Sequence, residues 1–165
     1  LFTRQVGPSG KVIAFEPIMS KVIERNATEN NLPNLETRAA AVWHEPGTTI
    51  FKLASNTLLS RVGTLADGDI DWRVQKQVPL VRLDDCAQQE NWSRVDFIKM
   101  DIEGAEENAI RGAQEIIKRF KPKWSISSYH TDLAGEKQHP KLVRLLKELG
   151  YNNIKESGTS HIWAW

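Results

Sequence analysis

The stretch Arg94–Ile117, RVDFIKMDIEGAEENAIRGAQEII, sets the architecture. Val95–Asp101 is a short apolar run of the kind that forms a buried strand. Beyond it, Ala105, Ala109, Ile110, Ala113, Ile116 and Ile117 recur at helical spacing along one face. Asp101, Glu103 and Gly104 stand between the two. Carboxylates at the mouth of a hydrophobic strand are costly to desolvate, so they ask for a purpose. In α/β domains the ligand crevice lies at the carboxyl ends of the strands, and Asp101 and Glu103 sit at such an end.

On either side the pattern repeats. KVIAFEP (Lys11–Pro17) predicts a buried strand, and Pro17 suits the first turn of the helix that carries Ile18, Val22 and Ile23. ETRAAAVW (Glu36–Trp43) and TTIFKL (Thr48–Leu53) predict two strands joined at HEPG. Ala54–Gln77 reads as a long polar loop, within which Trp72 is a candidate substrate contact. QVPLVRL (Gln77–Leu83) resumes as a strand whose Pro79 argues for an edge position or a bulge. KWSISSY (Lys123–Tyr129) predicts a strand, and HPKLVRLLKELG (His139–Gly150) a helix buried along Leu142, Val143, Leu145, Leu146 and Leu149. YNNIKES, GTS and HIWAW close the chain as a hairpin. Trp43, Trp124, Trp163 and Trp165 fall in strands and read as core or sheet-face residues. Strands alternating with helices predict one α/β domain, residues 1–165, with a mostly parallel sheet and a C-terminal antiparallel hairpin.

Bulk properties exclude several classes. Twenty-two basic against 21 acidic residues leave a net charge of +1, so no nucleic-acid partner is expected. KRFKPK (Lys118–Lys123) is the nearest approach to a basic cluster, and it suits a helix C-terminus. The single Cys86 excludes an intrachain disulfide and fits a reducing, cytoplasmic compartment. No apolar run has the length of a membrane span, and no membrane partner is expected. Leu1–Val6 read as the last turn of a helix that begins upstream, as in a portion of a longer protein.

Three constellations carry candidate chemistry. Glu16 closes the strand VIAFE, where it can accept hydrogen bonds from ribose hydroxyls or serve as an acidic cap for the following helix. In KMDIEGAE, Lys99 and Asp101 share one strand face and can pair, while Glu103 and Gly104 open the helix. His130, at the exit of SISSYH, faces the same end of the sheet and titrates near neutrality, as a general base must. His44, His139 and His161 show no metal-ligand spacing with one another or with Cys86; acids and histidines could still bind a metal jointly, but nothing in the spacing demands it and no metal is expected. Ser125, Ser127 and Ser128 lack the glycine-flanked elbow of a hydrolase nucleophile.

GPSGKVIAFEP, VPLVRLDD and VDFIKMDIEGAEENAIRGAQEII together resemble the FkbM family of methyltransferases, over about Leu1 to Tyr129. That resemblance implies a Rossmann-like sheet and S-adenosylmethionine as cofactor. Glu16 would then hold the ribose hydroxyls, and Ala41 and Val42, within AAAVW (Ala39–Trp43), would pass beside the adenine. Asp101 would lie near the reacting centre, with Lys99, Glu103 and Gly104 shaping that wall. The implied reaction is methyl transfer to a hydroxyl oxygen of a small molecule or saccharide, with Asp101, His130 and Lys99 as catalytic residues. Two other classes compete with it: a Rossmann-like binding or scaffold module without catalysis, and an NAD-dependent oxidoreductase, which leaves KMDIEGAE unexplained.

The chain departs from the family pattern in two places. Family members carry a first strand and a glycine-rich turn upstream of GPSGKVIAFEP, and they often have an acid in the strand before His130. In the Rossmann-like order the upstream strand is central, between KVIAF and VDFIKM, and its absence leaves unpaired backbone groups. Three remedies are expected: an upstream segment, a strand from a second copy in a homodimer, or a rearranged sheet.

Overall fold

The computed structural model describes residues 2–54, 61–62, 72–132 and 134–165, with side chains for all of these except 52–54, 61–62 and 72–75. It is a mixed α/β fold. A helical turn α1 (Phe2–Gln5) precedes β1 (Val12–Phe15), α2 (Ser20–Glu29) and β2 (Leu35–Arg38). Strand β2 returns parallel to β1, with Val12 opposite Leu35 and Phe15 opposite Arg38. The Asn34 side-chain amide donates to the carbonyls of Thr3 (2.9 Å) and of Gly7 and Gly10 (3.1 Å each), tying α1 to this unit.

The expected strand Glu36–Trp43 divides here. Its second half is β3 (Ala41–Val42), which belongs to another sheet with β4 (Gly47–Ala54), β5 (Arg61–Val62) and β6 (Trp72–Val81), in the order β3-β6-β4-β5. The cause lies in the partners on offer. Arg38 is held by Glu36 at 2.7 Å and Glu90 at 3.0 Å, whereas Trp43 donates its backbone N–H to Val81. The polar stretch read as loop is also partly strand, since β6 begins at Trp72 and runs antiparallel to β4. Residues 55–60 and 63–71 of that stretch, and the side chain of Trp72, lie outside the described residues. Pro79 is not on an edge strand, because β6 pairs with β4 and β3. Strand β3 meets β6 only at Leu80 and Val81, so beside Pro79 no described strand requires the missing N–H.

Helix α3 (Leu83–Gln89) leads to β7 (Phe97–Met100), α4 (Glu106–Arg111), α5 (Gln114–Phe120), β8 (Lys123–Ser127), α6 (His139–Glu148), β9 (Ile154–Ser157) and β10 (His161–Ala164). Four strands form one sheet in the order β7-β8-β10-β9, with β7 and β8 parallel and the rest antiparallel. The expected closing hairpin is therefore present, with β10 inserted between β8 and β9. The expected mostly parallel sheet is not seen as one sheet among the described residues. The described strands form three sheets, and four of their seven pairings are antiparallel. The physical reason is that, among the described residues, β1 hydrogen-bonds only to β2 and β7 only to β8, so no ladder joins the parallel pairs.

Two core clusters hold them: a smaller one centred on Ala41 and Val78 of β3 and β6, and a larger one on the β7–β8–β10–β9 sheet. Met100, Trp124, Ile126 and Ile162 pack from the β7–β8–β10 face against Ile110, Ile116 and Ile117 of α4 and α5 and against Leu142, Leu145 and Leu146 of α6. Phe15, Val42, Ile98 and Ile102 close over its rim. Complete burial of each aliphatic side chain of this set contributes roughly 1.5–3 kcal/mol. Among the tryptophans, Trp124 is fully buried, whereas Trp165 at the chain end is half exposed and not a core residue. No helix among the described residues is long and apolar enough to cross a membrane.

Candidate functional site

The site begins where β7 ends. Met100 turns into the core, and Asp101 follows it outward with its carboxylate 3.3 Å from Lys99 Nζ. The chain then reverses through two residues of left-handed backbone, Glu103 (φ 56°) and Gly104 (φ 103°). A Cβ on Gly104 would lie 2.4 Å from the Thr131 carbonyl oxygen, so only glycine fits this turn.

Glu106, the first residue of α4, fixes the turn from beneath. Its carboxylate is fully buried and accepts hydrogen bonds from the backbone amides of Ile102 and Gly104, each at 3.0 Å. The same carboxylate accepts from Gln138 Nε2 at 2.8 Å and meets His130 Nδ1 at 3.0 Å. A buried carboxylate is tolerated only when it is satisfied in this way. Burial works to raise its pKa, but the His130 bond and the backbone amides outweigh that and hold Glu106 below the ordinary 4.5. Sequence reasoning passed over Glu106, whose visible signal was an acid in the first turn of a helix right after a glycine turn.

His130 sits just past the end of β8, its side chain 7% exposed. An ionised carboxylate can only accept, so Nδ1 carries the proton toward Glu106 and the ring is fixed in that orientation. Nε2 then faces Glu103 Oε2 at 3.4 Å and Asp101 Oδ1 at 3.7 Å, and it makes no hydrogen bond among the described residues. Burial disfavours the imidazolium, yet the Glu106 bond and the charges of Glu106, Glu103 and Asp101 prevail and raise its pKa above 6.5. The exposed ring of Tyr129 lies against His130 with centroids 4.1 Å apart.

Lys99, Asp101, Glu103, Gly104 and His130 are thus brought together. The remaining expected residues lie elsewhere. Glu16 follows β1, where Oε1 accepts from the backbone amides of Ile18 (2.8 Å) and Met19 (3.0 Å). It caps the approach to α2 with one oxygen, and Oε2 has no hydrogen-bond partner among the described residues. Ala41 and Val42 form β3, and Ile18 packs against the smaller core cluster of Ala41 and Val78. A groove of about 470 Å³ runs along α6 past His139, Val143 and Lys147, and another lies between Pro8 and Asn34; neither includes Glu16 or Asp101. Other candidates have structural roles. His139 bridges Ser128 Oγ and Glu156, each at 2.7 Å, and burial pushes the Cys86 thiol up, away from a reactive thiolate.

Known proteins share this arrangement of elements. The family profile described as Methyltransferase FkbM domain matches residues 1–152. No curated protein matches the chain. Among solved structures, the crystal structure of Methyltransferase FkbM from Methylobacillus flagellatus KT is similar over 94% of this chain, with a TM-score of 0.55 and 20% sequence identity. The chain spans 36% of the length of that protein.

Proposed function

This chain belongs to the FkbM methyltransferase domain family, and from that premise we propose that it serves S-adenosylmethionine-dependent methylation of a hydroxyl oxygen on a small molecule or saccharide. The observation that carries the reading is the buried Glu106–His130 pair, which turns Nε2, without a hydrogen bond among the described residues, toward Asp101 and Glu103. The residues fit a cationic cofactor. Glu16 keeps one carboxylate oxygen without a hydrogen bond among the described residues, as a ribose hydroxyl would require, and Asp101 and Glu103 supply negative charge. Bound S-adenosylmethionine supplies an electrophilic methyl group on a sulfonium.

The residues of the chain do the rest. Glu16 would hold the ribose, with Ala41 and Val42 beside the adenine. Asp101, His130 and Lys99 prepare the acceptor. Glu106 fixes the His130 ring so that Nε2 faces the acceptor side, and Lys99 steadies the Asp101 carboxylate. Alignment of the acceptor oxygen and its loss of a proton provide much of the rate in such a displacement. In this reading β2–β1 and β7–β8–β10–β9 are two parts of a Rossmann-like sheet, and β1 and β7 each keep one side unpaired among the described residues. A reducing, cytoplasmic setting is proposed with it.

The test is calorimetric titration of the protein with S-adenosylmethionine, followed by release of S-adenosylhomocysteine over a panel of hydroxylated acceptors. Asp101→Ala is expected to lower turnover at least about 100-fold with the fold intact. Unchanged turnover overturns the assignment. The cap role of Glu16 favours a second reading, a binding module without catalysis. That reading predicts cofactor or acceptor binding with no methyl transfer.

A further inference from the structure

We propose that Asp101, Glu103 and His130 form a binding site for one divalent cation of the Mn2+ or Mg2+ class. Each residue offers one ligand atom, and these atoms lie within 4.8 Å of one another. Nε2 of His130 is 3.4 Å from Glu103 Oε2 and 3.7 Å from Asp101 Oδ1. Neighbouring ligands on a six-coordinate ion with bonds of about 2.1 Å stand roughly 3 Å apart. A bound ion would draw the carboxylates of Asp101 and Glu103, whose side chains are 38% and 35% exposed, closer by that difference.

A second observation, independent of the acids, points to the same place. The His130 side chain is more than nine-tenths buried, and Nε2 has no hydrogen bond among the described residues while aimed between the two carboxylates. A buried polar atom without a partner costs about 1–3 kcal/mol and requires an explanation. Behind the ring, Glu106 accepts the Nδ1 proton, the carboxylate–histidine relay that orients imidazole ligands and raises their basicity. Lys99 contacts Asp101 through Oδ2, which leaves Oδ1 for the ion. Residue spacing gives no hint of this site, because its ligands come from the exits of two different strands.

The role of the ion, though not its binding, rests on the methyltransferase reading. Three protein ligands on one side leave adjacent positions for two oxygens of an acceptor, so the favoured class carries neighbouring oxygens, as in a vicinal diol of a saccharide. The ion makes the bound hydroxyl more acidic. In the transfer, the hydroxyl proton passes to water, that oxygen forms the new bond to the methyl carbon, and the sulfur leaves as a neutral thioether with the electron pair.

The experiment is titration of chelator-treated protein with Mn2+, followed by the paramagnetic resonance signal of the free ion, without cofactor or acceptor. One saturable site is expected, with nitrogen modulation from a single imidazole on the bound ion and competition by Mg2+. Asp101→Asn and Glu103→Gln should each weaken binding at least about tenfold. These two variants keep the test sound if a His130 variant fails to fold. Absence of saturable binding, absence of imidazole coupling, or wild-type affinity in both variants overturns the site. Any of those results leaves the methyltransferase reading standing, and failure to bind S-adenosylmethionine would leave the metal site standing.

Discussion

Glu106 organises the candidate site although no solvent reaches it. Its two oxygens serve two backbone amides, one amide side chain and one imidazole, so each lone pair has a donor. Glu106→Gln would set an amide N–H₂ against at least one buried donor. The expected cost is about 3 kcal/mol, read as a lower urea midpoint, together with reduced turnover as His130 loses its orientation. Gly104 is constrained in a different way. Its φ of 103° and the Thr131 oxygen, 2.4 Å from where a Cβ would stand, leave no room for a side chain. Gly104→Ala is expected to destabilise the protein by about 2 kcal/mol or more, because the obstacle is backbone and cannot swing aside. A change under about 0.5 kcal/mol would show that the turn relaxes freely.

At the level of elements, the helix expected through Ala105–Ile117 is interrupted. Gly112 and Ala113 separate α4 from α5, and Asp84 of α3 supplies the reason. Its buried carboxylate accepts from the amides of Glu115 (3.1 Å) and Ile116 (3.0 Å), giving α5 an N-terminal cap from outside its own sequence. Gly112 lies against the Trp43 carbonyl, whose oxygen is 2.1 Å from the place a Cβ would occupy. Asp84→Ala should therefore cost about 2 kcal/mol in chemical denaturation, at the upper end for a lost cap. The clasp between β2 and α3 is electrostatic instead. The Trp92 indole and then Arg38 hold Glu90 below the ordinary 4.5, and Lys11 followed by Arg38 does the same for Glu36. A carboxylate with a depressed folded pKa adds stability above its unfolded pKa and loses it as pH falls through the folded value. The clasp should thus open on acidification below about 4.5 and stay unchanged near neutrality. The Trp92 indole N–H resonance, bonded to Glu90, reports this titration, and Arg38→Met should move its midpoint upward.

For the whole molecule, the consequence of three separately laddered sheets is uneven protection. Strand β8 is paired on both sides, whereas among the described residues β1 and β7 each have one ladder and one unpaired side. Phe97 of β7 is 44% exposed, and its ring is 5.7 Å from that of Phe2. Amide hydrogen exchange should accordingly be slow throughout β8 and β10 and fast at alternate positions of β1 and β7. Equal protection of β7 and β8 would show that another strand pairs with β7. Repeating the exchange at higher concentration distinguishes a strand from a second copy from one within the chain.

The elements legible in the residues alone are those that depend on near neighbours in sequence. Strand β7 (Phe97–Met100, within the expected Val95–Asp101), the buried stripe of α6, the closing hairpin and the placement of acids at a strand exit all follow from local periodicity and turn chemistry. The role of Glu16 remained two-sided in the sequence, since capping and ribose binding use the same residue; the fold supplies the capping contacts. Tertiary structure alone decided which strands share ladders, that Asp84 caps a helix some thirty residues away, and that Glu106 meets His130. Those contacts join residues distant in sequence, and hydrophobic period carries no information about which donor will reach which buried acceptor.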